Sequence, residues 1–149
     1  MFPDCSWRLP CSPPIMCKLQ TFIIEDSPVI LENLVATLQE LASVEVIGTA
    51  ANEADALAGW REHQGNLQLV IVDIFLKSGT GLGLLARAAK LGLAGRRVVL
   101  TNYATADIRR RCLDLGADRV FDKSSELEDL FSYCEELATA TGATSAADG

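Results

Sequence analysis

The sequence predicts an α/β domain built on a doubly wound, five-stranded parallel sheet. Three observations predict it. Apolar runs at Phe22-Ile23-Ile24, Leu69-Val70-Ile71-Val72, Val98-Val99-Leu100 and Val120-Phe121 are near-continuous and rich in β-branched residues, as strands buried on both faces are. Stretches with helical three-four spacing lie between them, so strands and helices alternate. Each run also ends in polar residues, Glu25-Asp26, Asp73, Thr101 and Lys123 in turn. In an open parallel sheet the carboxyl ends of the strands share one edge, and that edge is where ligands bind.

The first strand is predicted over residues 20–25. Ser27 can cap the helix that follows, Pro28 suits its first position, and Ile30, Leu34, Leu38 and Leu41 make its apolar stripe. A second strand over 44–49 alternates only weakly, which suits a sheet edge. Asn52 caps a second helix with Leu57 and Trp60 facing inward. After Asp73 comes a loop holding Gly79, Gly81 and Gly83, then a helix carrying Leu84, Leu85, Ala88 and Leu91. The fourth strand ends at Thr101, and a helix over about 105–115 follows. The fifth strand, 119–122, is short. Ser125 with Glu128 three residues on reads as a capping box for the last helix. Its stripe of Leu127, Leu130, Phe131, Cys134 and Leu137 marks a docked amphipathic helix. Right-handed crossovers between these units give strand order 2-1-3-4-5, the flavodoxin-like one, with helices on both faces.

Composition bounds the function. The 149 residues fit one domain with short extensions. Residues 1–17 hold Pro3, Pro10, Pro13 and Pro14 and are expected to be a disordered extension, with Met16 as an alternative start. The folded domain is expected over 18–137, and the Ala/Thr/Ser/Gly stretch 138–149 as a flexible tail. No apolar run approaches the ~18 to 20 residues of a membrane span, so no membrane contact is expected. The formal charge of -7, with too little chain after Lys123 for an appended helix-turn-helix, leads to the expectation that the protein does not touch nucleic acid. Five cysteines, three of them at Cys5, Cys11 and Cys17, make no disulfide framework and lack histidine partners for zinc. With no secretory signal pattern, a cytoplasmic location is expected. His63 reads as exposed and idle. Arg109, Arg110 and Arg111 read first as a solvated helix face, with partner contact as the alternative.

The chemistry of the shared edge follows from its groups. Carboxylates held close together repel, so they raise a pKa or invite a cation. Oxygen-only ligands without His or Cys suit Mg²⁺. Lys123 is a point charge for an anionic oxygen and the Thr101 hydroxyl a donor to the same group. Asp73 is the candidate nucleophile, since a carboxylate can form an acyl phosphate. The glycine loop lacks the GxxxxGK[ST] pattern of a P-loop.

This constellation resembles the receiver domain of two-component response regulators, over roughly residues 20–137. IIEDSP at Ile23 to Pro28 looks like that family's acidic pair. VIVDIFLKSGTGLGLL from Val70 to Leu85 looks like its phosphoacceptor segment, LTN from Leu100 its threonine position and LGADRVFDKS its lysine segment. The resemblance implies that Asp73 accepts a phosphoryl group from a phosphohistidine on a sensor histidine kinase or phosphotransfer protein. It implies Mg²⁺ ligation by Asp26, Asp73 and the Phe75 backbone carbonyl, with Glu25 acting mainly through water. Lys123 would pair with the phosphoryl oxygen, and Thr101 would move to bond it and bias a partner-binding surface. The implied protein is a stand-alone receiver with an unidentified downstream partner, either a monomer or a dimer that forms on phosphorylation.

Four departures from the family pattern stand out. Ser124 takes a place where a cis-proline often stands, so the Lys123–Ser124 bond is open to being trans. Asn102 replaces a very small residue and is expected to crowd the phosphoryl pocket. Val120 stands where a switch aromatic is expected, with Phe121 facing the other side. Phe75 and Tyr103 are bulky neighbours of the site that can exclude attacking water. Two rivals remain at this point. A haloacid-dehalogenase-type phosphatase needs a second Asp where Phe75 stands, and a degenerate receiver-fold module would bind partners without phosphorylation.

Overall fold

The structure, a computed structural model, describes residues 18–76, 78–102 and 104–148. The expectations for residues 1–17, including Met16 and the three cysteines there, lie outside the described residues, as does Tyr103. The buried apolar runs form five parallel strands: β1 (Leu19–Ile24), β2 (Val44–Ala50), β3 (Leu69–Val72), β4 (Arg96–Thr101) and β5 (Arg119–Asp122). Their order is β2-β1-β3-β4-β5, so the weakly patterned β2 is an edge. The helices are α1 (Pro28–Leu41), α2 (Glu53–His63), α3 (Gly81–Leu91), α4 (Ala106–Asp114) and α5 (Leu127–Asp148).

Successive strand residues point to opposite faces, so one run feeds two cores. Phe22, Ile24, Val70, Val72, Val99 and Val120 face α2, α3 and α4 around the buried Trp60, Leu84 and Leu85. Ile23, Leu69, Ile71, Val98, Leu100 and Phe121 face α1 and α5 around Leu34, Leu38, Leu130 and Cys134. Trp60 satisfies its buried indole by donating to the Ala94 carbonyl at 2.7 Å. Ser27, Asn52, Thr80 and Thr105 cap α1 to α4, each side chain accepting a backbone N–H of the first turn.

The structure corrects several helix details. Ile30, in the first turn of α1, and Leu91, the last residue of α3, are exposed. His63 is half-buried, its ring 6.0 Å from that of Phe22. Ser125 does not cap α5, which begins two residues later. The Asp122 carboxylate accepts the Ser124 N–H at 2.8 Å and its hydroxyl at 2.5 Å, folding that stretch into a turn that ends before the helix. The helix α5 spans Leu127–Asp148. Alanines propagate a helix readily once docked turns have nucleated it. Among the described residues no helix is long and apolar enough to cross a membrane.

Candidate functional site

The sheet ladder continues one residue past three strand ends and fixes the side chains there. The Glu25 N–H donates to Ala50 O at 2.9 Å, Asp73 N–H to Ile24 O at 3.0 Å and Lys123 N–H to Thr101 O at 2.9 Å. Because the register pairs Ile24 with Val72, Val72 with Val99 and Thr101 with Asp122, these ends meet at one edge. Lys123 Nζ lies 2.5 Å from Glu25 Oε1 and 3.0 Å from Asp73 Oδ2. The three side chains are 11%, 3% and 8% exposed, so the ion pairs are nearly dry. Thr101 is fully buried on the same edge, and Asp26 is half-buried at the mouth. Carboxylate oxygens of Glu25, Asp26 and Asp73 lie within 4.8 Å of one another. The sequence-predicted groups are thus brought together.

Backbone contacts complete the site. Glu25 Oε2 accepts the Ser27 N–H at 3.1 Å, and Asp73 Oδ1 accepts the Phe75 N–H at 3.3 Å. A bridge between Phe75 and Thr80 holds the loop beside the strand end. The Phe75 side chain is 55% exposed at the rim. Gly81 is required where α3 abuts β3: a Cβ there would collide with the Asp73 carbonyl oxygen and stand 2.8 Å from Ile74 Cα.

Three carboxylates against one ammonium leave two negative charges in a small space. Burial pushes the Glu25 carboxyl above its usual range; the Lys123 hydrogen bond opposes this and the Asp73 charge adds to it. Burial alone would pull the Lys123 ammonium down, but its hydrogen bonds to Glu25 and Asp73 outweigh that and hold it above its ordinary value. Lys123 is therefore cationic at neutral pH. An all-oxygen donor set with excess negative charge fits a hard divalent cation.

The departures resolve as follows. The Lys123–Ser124 bond is trans. Asn102 is exposed and lines a groove of about 300 Å³ between α1 and α5, with Ile30, Leu34, Lys123 and Leu127 among its walls. Val120 and Phe121 face opposite cores, and Phe121 packs on Tyr133 with ring centroids 6.0 Å apart. The arginine run divides. Arg110 and Arg111 are exposed and pair with Asp107, whereas Arg109 turns inward. It donates to Ala104 O and Val120 O, each at 3.0 Å, and to Glu126 Oε1 at 2.7 Å. Sequence reasoning missed this strut and missed Glu53, which grips the loop after Asp73. Neither carries a local signal, since Arg109 reaches Val120 and Glu126, 11 and 17 residues on, and Glu53 reaches Thr80, 27 residues on.

Residues 21–135 match the response regulator receiver domain family. The chain belongs to that family. The receiver is 37% identical over 118 residues to the virulence-factor transcription regulator BvgA of Bordetella pertussis, covering 79% of this chain and 55% of BvgA. It is 32% identical over 107 residues to the transcriptional regulatory protein CitB of Klebsiella pneumoniae, covering 72% and 44%. The chain thus spans about half the length of the curated relatives it matches. In fold it is similar to the receiver domain of the response regulator NarL from Mycobacterium tuberculosis, with TM-score 0.73, 22% identity and coverage of 82% and 97%. It is likewise similar to a DNA-binding response regulator of the LuxR family from Staphylococcus aureus, with TM-score 0.72, 22% identity and coverage of 80% and 98%.

These findings overturn the expectation that the protein does not touch nucleic acid. The relatives are named transcription regulators and one structural neighbour is named DNA-binding. The physical reason is that the charge of a receiver reports only on its own surface, and about half of each relative lies outside the match. Family membership also sets aside the phosphatase alternative: a receiver is not a turnover enzyme of that class.

Proposed function

We propose that Asp73 accepts a phosphoryl group from the phosphohistidine of a sensor kinase or phosphotransfer protein, and that the phosphorylated receiver changes its protein contacts to regulate transcription. The single observation that carries this reading is Lys123 Nζ held between Glu25 and Asp73 with Asp26 alongside. A buried carboxylate that is paired with an ammonium and lies next to two others is suited to taking a divalent cation and, with it, a phosphoryl group, not merely to capping a loop. In the reaction an Asp73 oxygen attacks phosphorus, the P–N bond to imidazole breaks, and imidazole leaves with the bonding pair. Glu25, Asp26, Asp73 and the Phe75 carbonyl would hold Mg²⁺, which supplies neutralisation of the charge on the transferring phosphoryl group. Lys123 then exchanges its bond to Asp73 for one to a phosphoryl oxygen, and Thr101 donates to another. We place this chemistry in the cytoplasm, in keeping with the free, buried Cys112 and Cys134.

Acetyl phosphate with Mg²⁺ is expected to add one phosphate to the intact mass, and beryllofluoride to shift the resonances of Thr101, Lys123 and the α4–β5 surface. Both responses are expected to vanish in Asp73→Asn. No mass gain and no shifts at saturating reagent would replace this reading with a phosphorylation-independent module.

A further inference from the structure

Gly79 and Gly83, in the loop after Asp73 and the start of α3, make room for a side chain from another element. Glu53, the first residue of α2, extends its carboxylate to the start of α3 and is 16% exposed. Its Oε1 accepts the Thr80 backbone N–H at 2.9 Å, and its Oε2 pairs with Arg87 Nε at 3.1 Å. Its own N–H donates to Ser78 O at 3.0 Å. A Cβ on Gly79 would collide with this carboxylate, and one on Gly83 would stand 2.9 Å from Oε1.

Thr80 caps α3 by accepting the Gly83 N–H at 2.9 Å. In a capping box the third helical residue returns a carboxylate to the cap's own N–H. Here that residue is Gly83, and Glu53 supplies the acceptor from α2. Thr80 is in turn bridged to Phe75, whose N–H donates to Asp73. A continuous path therefore runs from Arg87 through Glu53, Thr80 and Phe75 to the phosphoacceptor.

We infer that Glu53 is a positioning residue for the phosphoacceptor site: by latching Ser78 and Thr80 onto α2 it sets the attitude of the Phe75 backbone and so the affinity for the divalent cation. The inference rests on the reading of Glu25, Asp26, Asp73 and the Phe75 carbonyl as Mg²⁺ ligands. Glu53 touches no reacting atom. Groups that orient a metal ligand from behind typically govern affinity by 10- to 100-fold.

The test is a heteronuclear NMR titration of the full chain with MgCl₂ at constant ionic strength. Glu53→Ala is expected to weaken Mg²⁺ binding on the order of tenfold and to move the Phe75 and Thr80 amides in the metal-free spectrum. Glu53→Gln is expected to recover most of the affinity, because its amide oxygen still accepts from Thr80. With acetyl phosphate, the Mg²⁺ concentration for half-maximal rate rises in parallel, while the rate at saturating Mg²⁺ changes by less than about twofold. Should Glu53→Ala unfold, Gly83→Ala places a methyl against the carboxylate where helix propensity favours alanine, and is expected to show the same weakening. Unchanged affinity in the variants, or a Gln variant as weak as Ala, overturns the inference. If the unmodified chain shows no saturable shifts and matches Asp26→Asn, the metal reading itself falls. If it binds and Glu53→Ala binds equally well, only the latch falls.

Discussion

Lys123 separates two carboxylates that would otherwise face each other across a dry gap. Removing one partner of a buried ionic group costs far more than an exposed pair is worth, because the remaining charges stay desolvated. Lys123→Ala is therefore expected to destabilise the metal-free protein by about 3 kcal/mol in urea denaturation. Saturating Mg²⁺ is expected to recover part of that loss and to stabilise the variant more than the parent. Phe75 belongs to the same scale. Its exposed side chain belongs to the residue whose N–H donates to Asp73, and it is expected to obstruct water approaching an acyl phosphate. Phe75→Asn should shorten the aspartyl-phosphate half-life severalfold; an unchanged lifetime would remove the ring from that role. The charged residues of the site were legible one by one, since each stands one or two residues past the end of an apolar run. Glu53 and Arg109 were not, because on their own helices they look like ordinary solvated charges.

Among the elements, the contact between α4, β5 and the start of α5 depends on Arg109. Its guanidinium satisfies the Ala104 and Val120 carbonyls and reaches Glu126 on the far side. Glu126 also accepts the Asp122 N–H at 2.8 Å. Arg109→Ala leaves two backbone acceptors without this partner and is expected to cost about 1 to 2 kcal/mol. The Arg109 hydrogen bond, helped by the Asp122 N–H, holds the Glu126 carboxyl below its ordinary range. A depressed carboxyl stabilises the fold above its unfolded pKa, near 4.5, and that stability is lost as pH falls through the lower folded value. The Tm gap between the parent and Glu126→Gln is thus expected to be full at pH 7 and to close on acidification below about 4.5. A gap independent of pH would mean the pair contributes nothing through charge. The capping error at Ser125 arose at this scale as well. The Asp122-Lys123-Ser124 turn satisfies its own groups locally, and it delays the helix by two residues.

For the whole molecule, two cores on opposite faces of one sheet share every strand, so unfolding should be a single cooperative transition. A cation bound only by the folded state adds stability by mass action, about 2.7 kcal/mol at a hundredfold excess over its Kd. Mg²⁺ is expected to raise the Tm of the parent chain but not of Asp26→Asn. Equal shifts in both would place the cation elsewhere.

The amino-acid sequence by itself determined the alternation of strands and helices, the strand order and the set of polar groups at the carboxyl edge. It did so because strand burial writes itself into consecutive apolar residues, and because a parallel sheet sends all its carboxyl ends to one side. Only the tertiary structure decided which groups touch. It seated Lys123 against Glu25 and Asp73, turned Arg109 inward while its neighbours stayed in water, and filled the glycine gap with Glu53. Such contacts join residues up to 98 positions apart. Side-chain periodicity reports which face of an element is buried, but not which residue of another element waits there.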